Sequence, residues 1–153
     1  MYKFQRGFTI VELILVTVSI GILAAVVGPR FFTKSNLDER FYFEETLSAV
    51  RYAQKLAVAS GCSIKAQVDS DGYRLTYGAT CGDGAGAIQL GDPVANPSGG
   101  DYQGANENSA SINKDLTVAF DSLGAVSTPD SVEFAGGSFK LTVHSTGFIE
   151  VTP

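Results

Sequence analysis

The sequence predicts an α+β fold: one long N-terminal helix, membrane-spanning over its first half, with an antiparallel β domain at its C-terminal end. Three observations carry that prediction. Phe8 to Val27 is an apolar run of 20 residues broken by a single charge, Glu12. Residues 30–61 place apolar side chains at helical spacing. From Cys62 onward, short segments alternate apolar and polar residues between glycine-containing turns, which is the period of half-buried strands.

The apolar run comes first. As a helix rising about 1.5 Å per residue it covers the roughly 30 Å hydrocarbon core of a bilayer. Lys3 and Arg6 are the only charges in the seven residues before it, so the basic-flank rule puts the N-terminus in the cytoplasm and everything after Pro29 across the membrane. A cleaved secretory signal fits poorly, because the apolar region is long and no A-x-A site precedes Pro29. A buried helix of a soluble protein fits poorly too, since the run is apolar on all faces. A plain anchor leaves Glu12 unexplained: a carboxylate at the bilayer centre costs on the order of 3 kcal/mol. Its place four residues after Phe8 reduces that cost by keeping it near the interface.

After Pro29 the pattern becomes amphipathic. Phe43, Leu47, Val50, Ala53 or Gln54, and Ala57 form one stripe, with Arg40, Glu44, Glu45, Arg51 and Lys55 mostly on other faces. The helix therefore continues outward, bent or loosened at Gly28-Pro29 and stopped at Ser60-Gly61. The divisions expected are a short basic segment at 1–7, a membrane helix at 8–29, its outer half at 30–61 and a globular domain at 62–153; the resemblance described below makes the first a leader and the second an assembly helix.

Next comes a hairpin. Cys62 to Val68 and Tyr73 to Tyr77 flank Asp69-Ser70-Asp71-Gly72, whose composition suits a tight reversal. If Val68 faces Tyr73, Cys62 lies opposite Ala79 and close to Cys81. The two cysteines are the only ones in the chain and lie on the exported side, where a disulfide is the default. A calcium loop at Asp69, Asp71 and Gly72 is the competing reading, but no downstream Glu completes it.

Residues 82–113 are rich in Gly, Asn and Ser, with Ile88 and Leu90 as the main long apolar side chains. They read as a long loop with one short strand at Ala87 to Leu90, either a flexible solvated segment or a partner-binding tip carrying Asp101, Tyr102 and Glu107. The last forty residues read as a β meander over Asp115–Phe120, Ser131–Phe134, Ser138–His144 and Phe148–Val151.

Composition narrows the function classes. Eleven Lys and Arg stand against sixteen Asp and Glu; removing residues 1–7 takes two cations and leaves a net charge of −7. Such a surface gives no general case for nucleic-acid binding, and none is expected. No nucleophile–base pair, metal constellation or phosphate loop is visible, so no catalytic residue, metal or cofactor is expected and the chain does not read as an enzyme. His144, the one histidine, reads as a surface strand residue.

The stretch Gly7-Phe8-Thr9-Ile10-Val11-Glu12-Leu13 resembles the class III signal of type IV pilins and pseudopilins: a short basic leader, Phe after Gly, and Glu four residues on. The resemblance implies cleavage between Gly7 and Phe8 by a prepilin peptidase and N-methylation of Phe8. It implies a single-pass bacterial inner-membrane protein with its C-terminal domain in the periplasm, later assembled with other pilin subunits. Pro29 falls where the family often has a helix-loosening proline. Physically, a cationic Phe8 amine sits badly at the positive end of a helix dipole, and Glu12 one turn later offsets it. Between packed helices Glu12 would pair with the amine of a neighbouring subunit and fix the axial register.

Further on, Val118-Ala-Phe120-Asp121-x-x-Gly124, the pair ending Gly147-Phe148-Ile149-Glu150-Val151, and the helix from Arg51 to Cys62 resemble the GspH/FimT-type domain. That implies a pilin-like, two-sheet β domain draped over the helix, nearest in type to minor subunits of mannose-sensitive haemagglutinin-type pili. Some relatives bind DNA through basic residues near the last strands, but this chain has Glu150 there. The implied function is a minor pilin of a type IV pilus. The alternatives are a type II secretion pseudopilin and an adhesin or ligand-binding tip subunit.

Overall fold

The computed structural model describes residues 9–31, 34–107, 109–134 and 139–152, the side chains of 25–37 excepted. It forms two units, Met1–Lys34 and Ser35–Pro153, each with its own internal contacts. The first is helix α1, Ile10–Phe31, whose backbone stays helical through Gly28 and Pro29.

The second unit opens with the bulk of helix α2, Lys34–Ser60. Its expected stripe is buried as read: Phe43, Leu47, Val50, Ala53 and Ala57 join one core, and Tyr42 and Ala49 extend it. Arg40, Glu44, Glu45, Arg51 and Lys55 are exposed. The helix stops at Gly61, whose φ of 71° is the left-handed conformation that glycine adopts without cost, with Gly61 N–H donating to Ala57 O at 2.9 Å.

Two four-stranded antiparallel sheets complete the core. The first runs β3-β2-β1-β5, from β1 Ile64–Val68, β2 Gly72–Tyr77, β3 Gln103–Ala105 and β5 Leu116–Phe120. The second runs β4-β6-β7-β8, from β4 Ile112–Lys114, β6 Asp130–Phe134, β7 Phe139–Val143 and β8 Ile149–Thr152. Val68 pairs with Tyr73 and Ile64 with Tyr77, the register that the Asp-rich turn implies. Asp69 is consumed by that turn: its Oδ1 accepts from Asp71 N at 3.0 Å and Gly72 N at 3.1 Å, and its Oδ2 faces Arg74 at 3.0 Å. Cys62 and Cys81 are disulfide-bonded, their Cα atoms 5.5 Å apart.

Two expectations need correction. The last forty residues are not one meander, because β5 lies in the first sheet and pairs with β1 from Val68↔Leu116 to Ile64↔Phe120. Alternation shows that a strand has one buried face but not which neighbour it pairs with, and the connection from Asp121 to Pro129 is long enough to change sheets. Nor is 82–113 a free loop with a strand at Ala87–Leu90. Ile88 makes only an isolated bridge to Cys81, Leu90 is exposed, and the segment returns to the sheet through Val94 and β3. Val94 is 2% exposed and exchanges main-chain bonds with Leu75 and Tyr102, while Tyr102 stacks on Tyr52 of α2 with ring centroids 4.5 Å apart. Single anchors replace periodicity here.

Candidate functional site

The start of α1 is built by a cap. Thr9 Oγ1 accepts from Glu12 N at 3.2 Å and Thr9 O from Leu13 N at 3.1 Å, so Thr9 is the N-cap and Glu12 the third helical residue. Thr-x-x-Glu is the capping-box spacing, and a carboxylate in the first turn complements the helix dipole. Glu12 thus has a local reason to be where it is, before any neighbouring subunit is invoked. The signal was in the sequence, as Thr9 and Glu12 three apart.

From Ile10 to Leu23 the large apolar side chains are 46% to 80% exposed, on every face of the helix. Thr17 and Ser19 return their hydroxyls to main-chain carbonyls of Leu13, Ile14 and Leu15 at 2.8–3.0 Å, which leaves that surface without polar donors of its own. Among the described residues no helix is long and apolar enough to cross a membrane. The span read over Phe8–Val27 falls partly outside the side chains described, which run from Thr9 to Ala24. Gly7 and Phe8 also lie outside the described residues, and for Pro29 only the helical backbone is described.

In the second unit, the sequence elements that resembled a GspH/FimT-type domain meet at one side chain. Gln54 Nε2 donates to Gly124 O at 2.9 Å and to Gly147 O at 2.7 Å, joining α2 to the β5–β6 connection and the β7–β8 turn. Both glycines have positive φ, 78° and 82°, and a Cβ on Gly147 would overlap Gly124 O and Gln54 Nε2. Asp121 fixes the first turn, its Oδ1 accepting from Leu123 N and Ala125 N at 2.9 Å each. Reading the stripe as "Ala53 or Gln54" left this open: Ala53 is the core residue and Gln54 the clamp.

Several charged groups in this unit hold strands and turns together. Asp130 Oδ1 faces Lys114 Nζ at 2.8 Å and accepts from Ser131 N, while Oδ2 accepts from Thr117 N of β5, so one carboxylate stitches the two sheets. Burial pushes its pKa upward, but the Lys114 and main-chain hydrogen bonds outweigh it and hold the carboxyl below its usual range. His144 Nε2 lies 2.8 Å from Glu150 Oε2 at the base of the β7–β8 turn. Burial pushes the Tyr73 phenol up, and Glu45 beside it adds to the shift. Among the described residues no three His, Cys, Asp or Glu side chains gather as a metal site.

This arrangement of a helix under two antiparallel sheets matches a solved structure. The chain superimposes on the crystal structure of the type IV minor pilin FimU from Pseudomonas aeruginosa (strain PAO1, space group P21) with a TM-score of 0.51, over 80% of this chain and 92% of that one, at 18% identity. The fold is that of a type IV minor pilin. The P65 crystal form of FimU aligns over 74% of this chain and 92% of its own at 18% identity, with a TM-score of 0.47. No protein-family model matches the sequence, and no curated protein is similar to it. Within this pilin fold, the helix presented to the sheets is α2, and the Gln54 clamp holds both sheets' end turns against it.

Proposed function

We propose that the chain is a minor pilin or pseudopilin. In this reading a prepilin peptidase cuts between Gly7 and Phe8, Phe8 is N-methylated, and residues 8–29 hold the protein in the bacterial inner membrane with the β domain in the periplasm. Assembly with other pilin subunits into a type IV pilus follows. The observation that carries the proposal is the fold shared with minor pilin FimU over 92% of that chain. The exposed apolar side chains of α1 from Ile10 to Leu23, interrupted by a single charge at Glu12, support it, since such a surface needs lipid or other helices around it.

Glu12 then acts twice. Within the subunit its carboxylate lies in the first turn of the helix that Thr9 caps, where it complements the helix dipole. Between subunits it pairs with the Phe8 amine of a neighbour, and an unpaired charge among packed apolar helices is costly enough to enforce one register. Pro29 supplies flexibility, because it withholds one helical hydrogen bond. Incorporation into a type II secretion pseudopilus is the alternative destination. A ligand-binding subunit is a second reading, favoured by two cavities that flank β3, inside the 82–113 segment.

Glu12→Ala and Glu12→Gln tested in a piliated host distinguish the two roles of Glu12. The wild-type chain should co-fractionate with sheared filaments. Both variants should stay in the membrane, although Gln retains capping geometry. Normal incorporation of Glu12→Gln contradicts the pairing role.

A further inference from the structure

Strand β3 is an edge, and its chemistry points to an occupant. Among the described residues it pairs only with β2, through Gly72↔Ala105, Tyr73↔Gly104 and Arg74↔Gln103. Leu75 N donates to Tyr102 O and Asn106 N to Asp71 O, so Tyr102, Gly104 and Asn106 are the positions bonded toward β2. Gln103 and Ala105 therefore turn their main-chain groups outward. Gln103 N–H is taken by Asp101 O at 3.0 Å; the Ala105 N–H and both carbonyls remain directed away from the sheet. Edges are commonly blunted by Lys, Pro or a bulge, and Gln-Gly-Ala has none of these.

A cavity lies on each side of this edge. The one on the helix side, about 340 Å³, lies between α2 and β3 and is lined by Phe41, Tyr42, Glu45, Tyr73 and Glu107 together with the strand. The other, about 460 Å³, is lined by Asp69, Asp71 and Arg74 with the same strand residues. An added strand sends alternate side chains to opposite faces, so it would fill both. Glu45 and Glu107 have no ion-pair partner among the described residues, whereas Asp69 is paired with Arg74. Phe41 is 65% exposed, and Phe41 and Tyr73 line the same cavity as those two carboxylates, an aromatic and acidic setting that suits a cation.

We propose that the outer edge of β3 accepts an extended strand from a partner protein, with a Lys or Arg of that strand seated in the Phe41–Tyr73–Glu45–Glu107 cavity. Three residues of edge supply only two or three main-chain bonds, so the cation supplies the selectivity. The site does not depend on filament assembly, so its failure and that of the pilin reading are separable.

The test is a titration of the full chain in detergent with the peptide acetyl-Thr-Val-Lys-Val-Thr-amide and its Lys→Glu counterpart, followed by the backbone amide signals. The Lys peptide should shift the Ala105 amide and bind at least about tenfold more tightly than the Glu peptide. Glu45→Gln with Glu107→Gln, both exposed, should weaken it about fivefold. Ala105→Pro removes the outward donor and no ladder bond, is tolerated at an edge, and should abolish binding. Absence of binding, equal binding of the two peptides, or binding that survives Ala105→Pro in a protein whose other amide signals are unchanged overturns the proposal.

Discussion

The side-chain amide of Gln54 donates to the main-chain carbonyl of Gly147 at 2.7 Å, across 93 positions of sequence. The same nitrogen reaches Gly124 O at 2.9 Å, so one residue on α2 closes the turns that end both sheets. Gln54→Ala leaves two partly buried carbonyls without this donor and should cost about 2 kcal/mol. Gly147→Ala should cost on the order of 3 kcal/mol or prevent folding, because it combines left-handed backbone strain with a clash on Gly124 O. Chemical denaturation of both variants checks the pair; a Gly147→Ala protein as stable as wild type would show the turn to be built differently.

Thr46 is fully buried on α2, and its hydroxyl has no hydrogen-bond partner among the described residues. Thr46→Val keeps the shape and removes the orphan group, so stability should be unchanged or raised by up to about 1 kcal/mol. A clear fall in melting temperature would mean that the hydroxyl is satisfied.

Asp130 links the sheets through Lys114, Thr117 and Ser131, and its carboxyl is held below the ordinary range. A depressed folded-state pKa means that the stabilisation is fully present above the unfolded value near 3.9 and is lost as pH falls through the folded value. Asp130→Asn should therefore cost about 1 kcal/mol at pH 7, and the gap to wild type should close in acid. Stability measured from pH 7 to pH 3 decides this; a gap that stays constant with pH contradicts it.

The disulfide between Cys62 and Cys81 ties the end of α2 to the start of the long segment, with a sequence separation of 19. Its reduction, or replacement of both cysteines by Ala, should remove about 3 kcal/mol. The loss should appear first as faster amide exchange in 82–94, whose bridges begin at Cys81.

Much of this domain is legible from local patterns. The α2 stripe follows the 3.6 period, and the β1–β2 register follows from the turn chemistry of Asp69 to Gly72, with the cysteine pairing as a consequence. What escapes is non-local. The choice of β1 over β6 as partner for β5 depends on where the connection leads, not on the strand's own alternation. The return of 82–113 rests on two lone anchors, Val94 and Tyr102, which have no period to betray them. Gln54 is polar in an apolar stripe and reveals its purpose only once Gly124 and Gly147 are brought to it. At the N-terminus, Thr9 and Glu12 stand three apart, the spacing of a helix cap, so one residue carries both a capping position and the lone charge of the apolar run.

Processing at Gly7 is the step on which the proposed function turns. Mass spectrometry of the protein extracted from membranes of a host with a prepilin peptidase measures it directly. The expected N-terminus is Phe8 carrying one methyl group on its amine. A mature protein that retains Met1 and the Lys3–Arg6 leader would contradict the minor-pilin assignment.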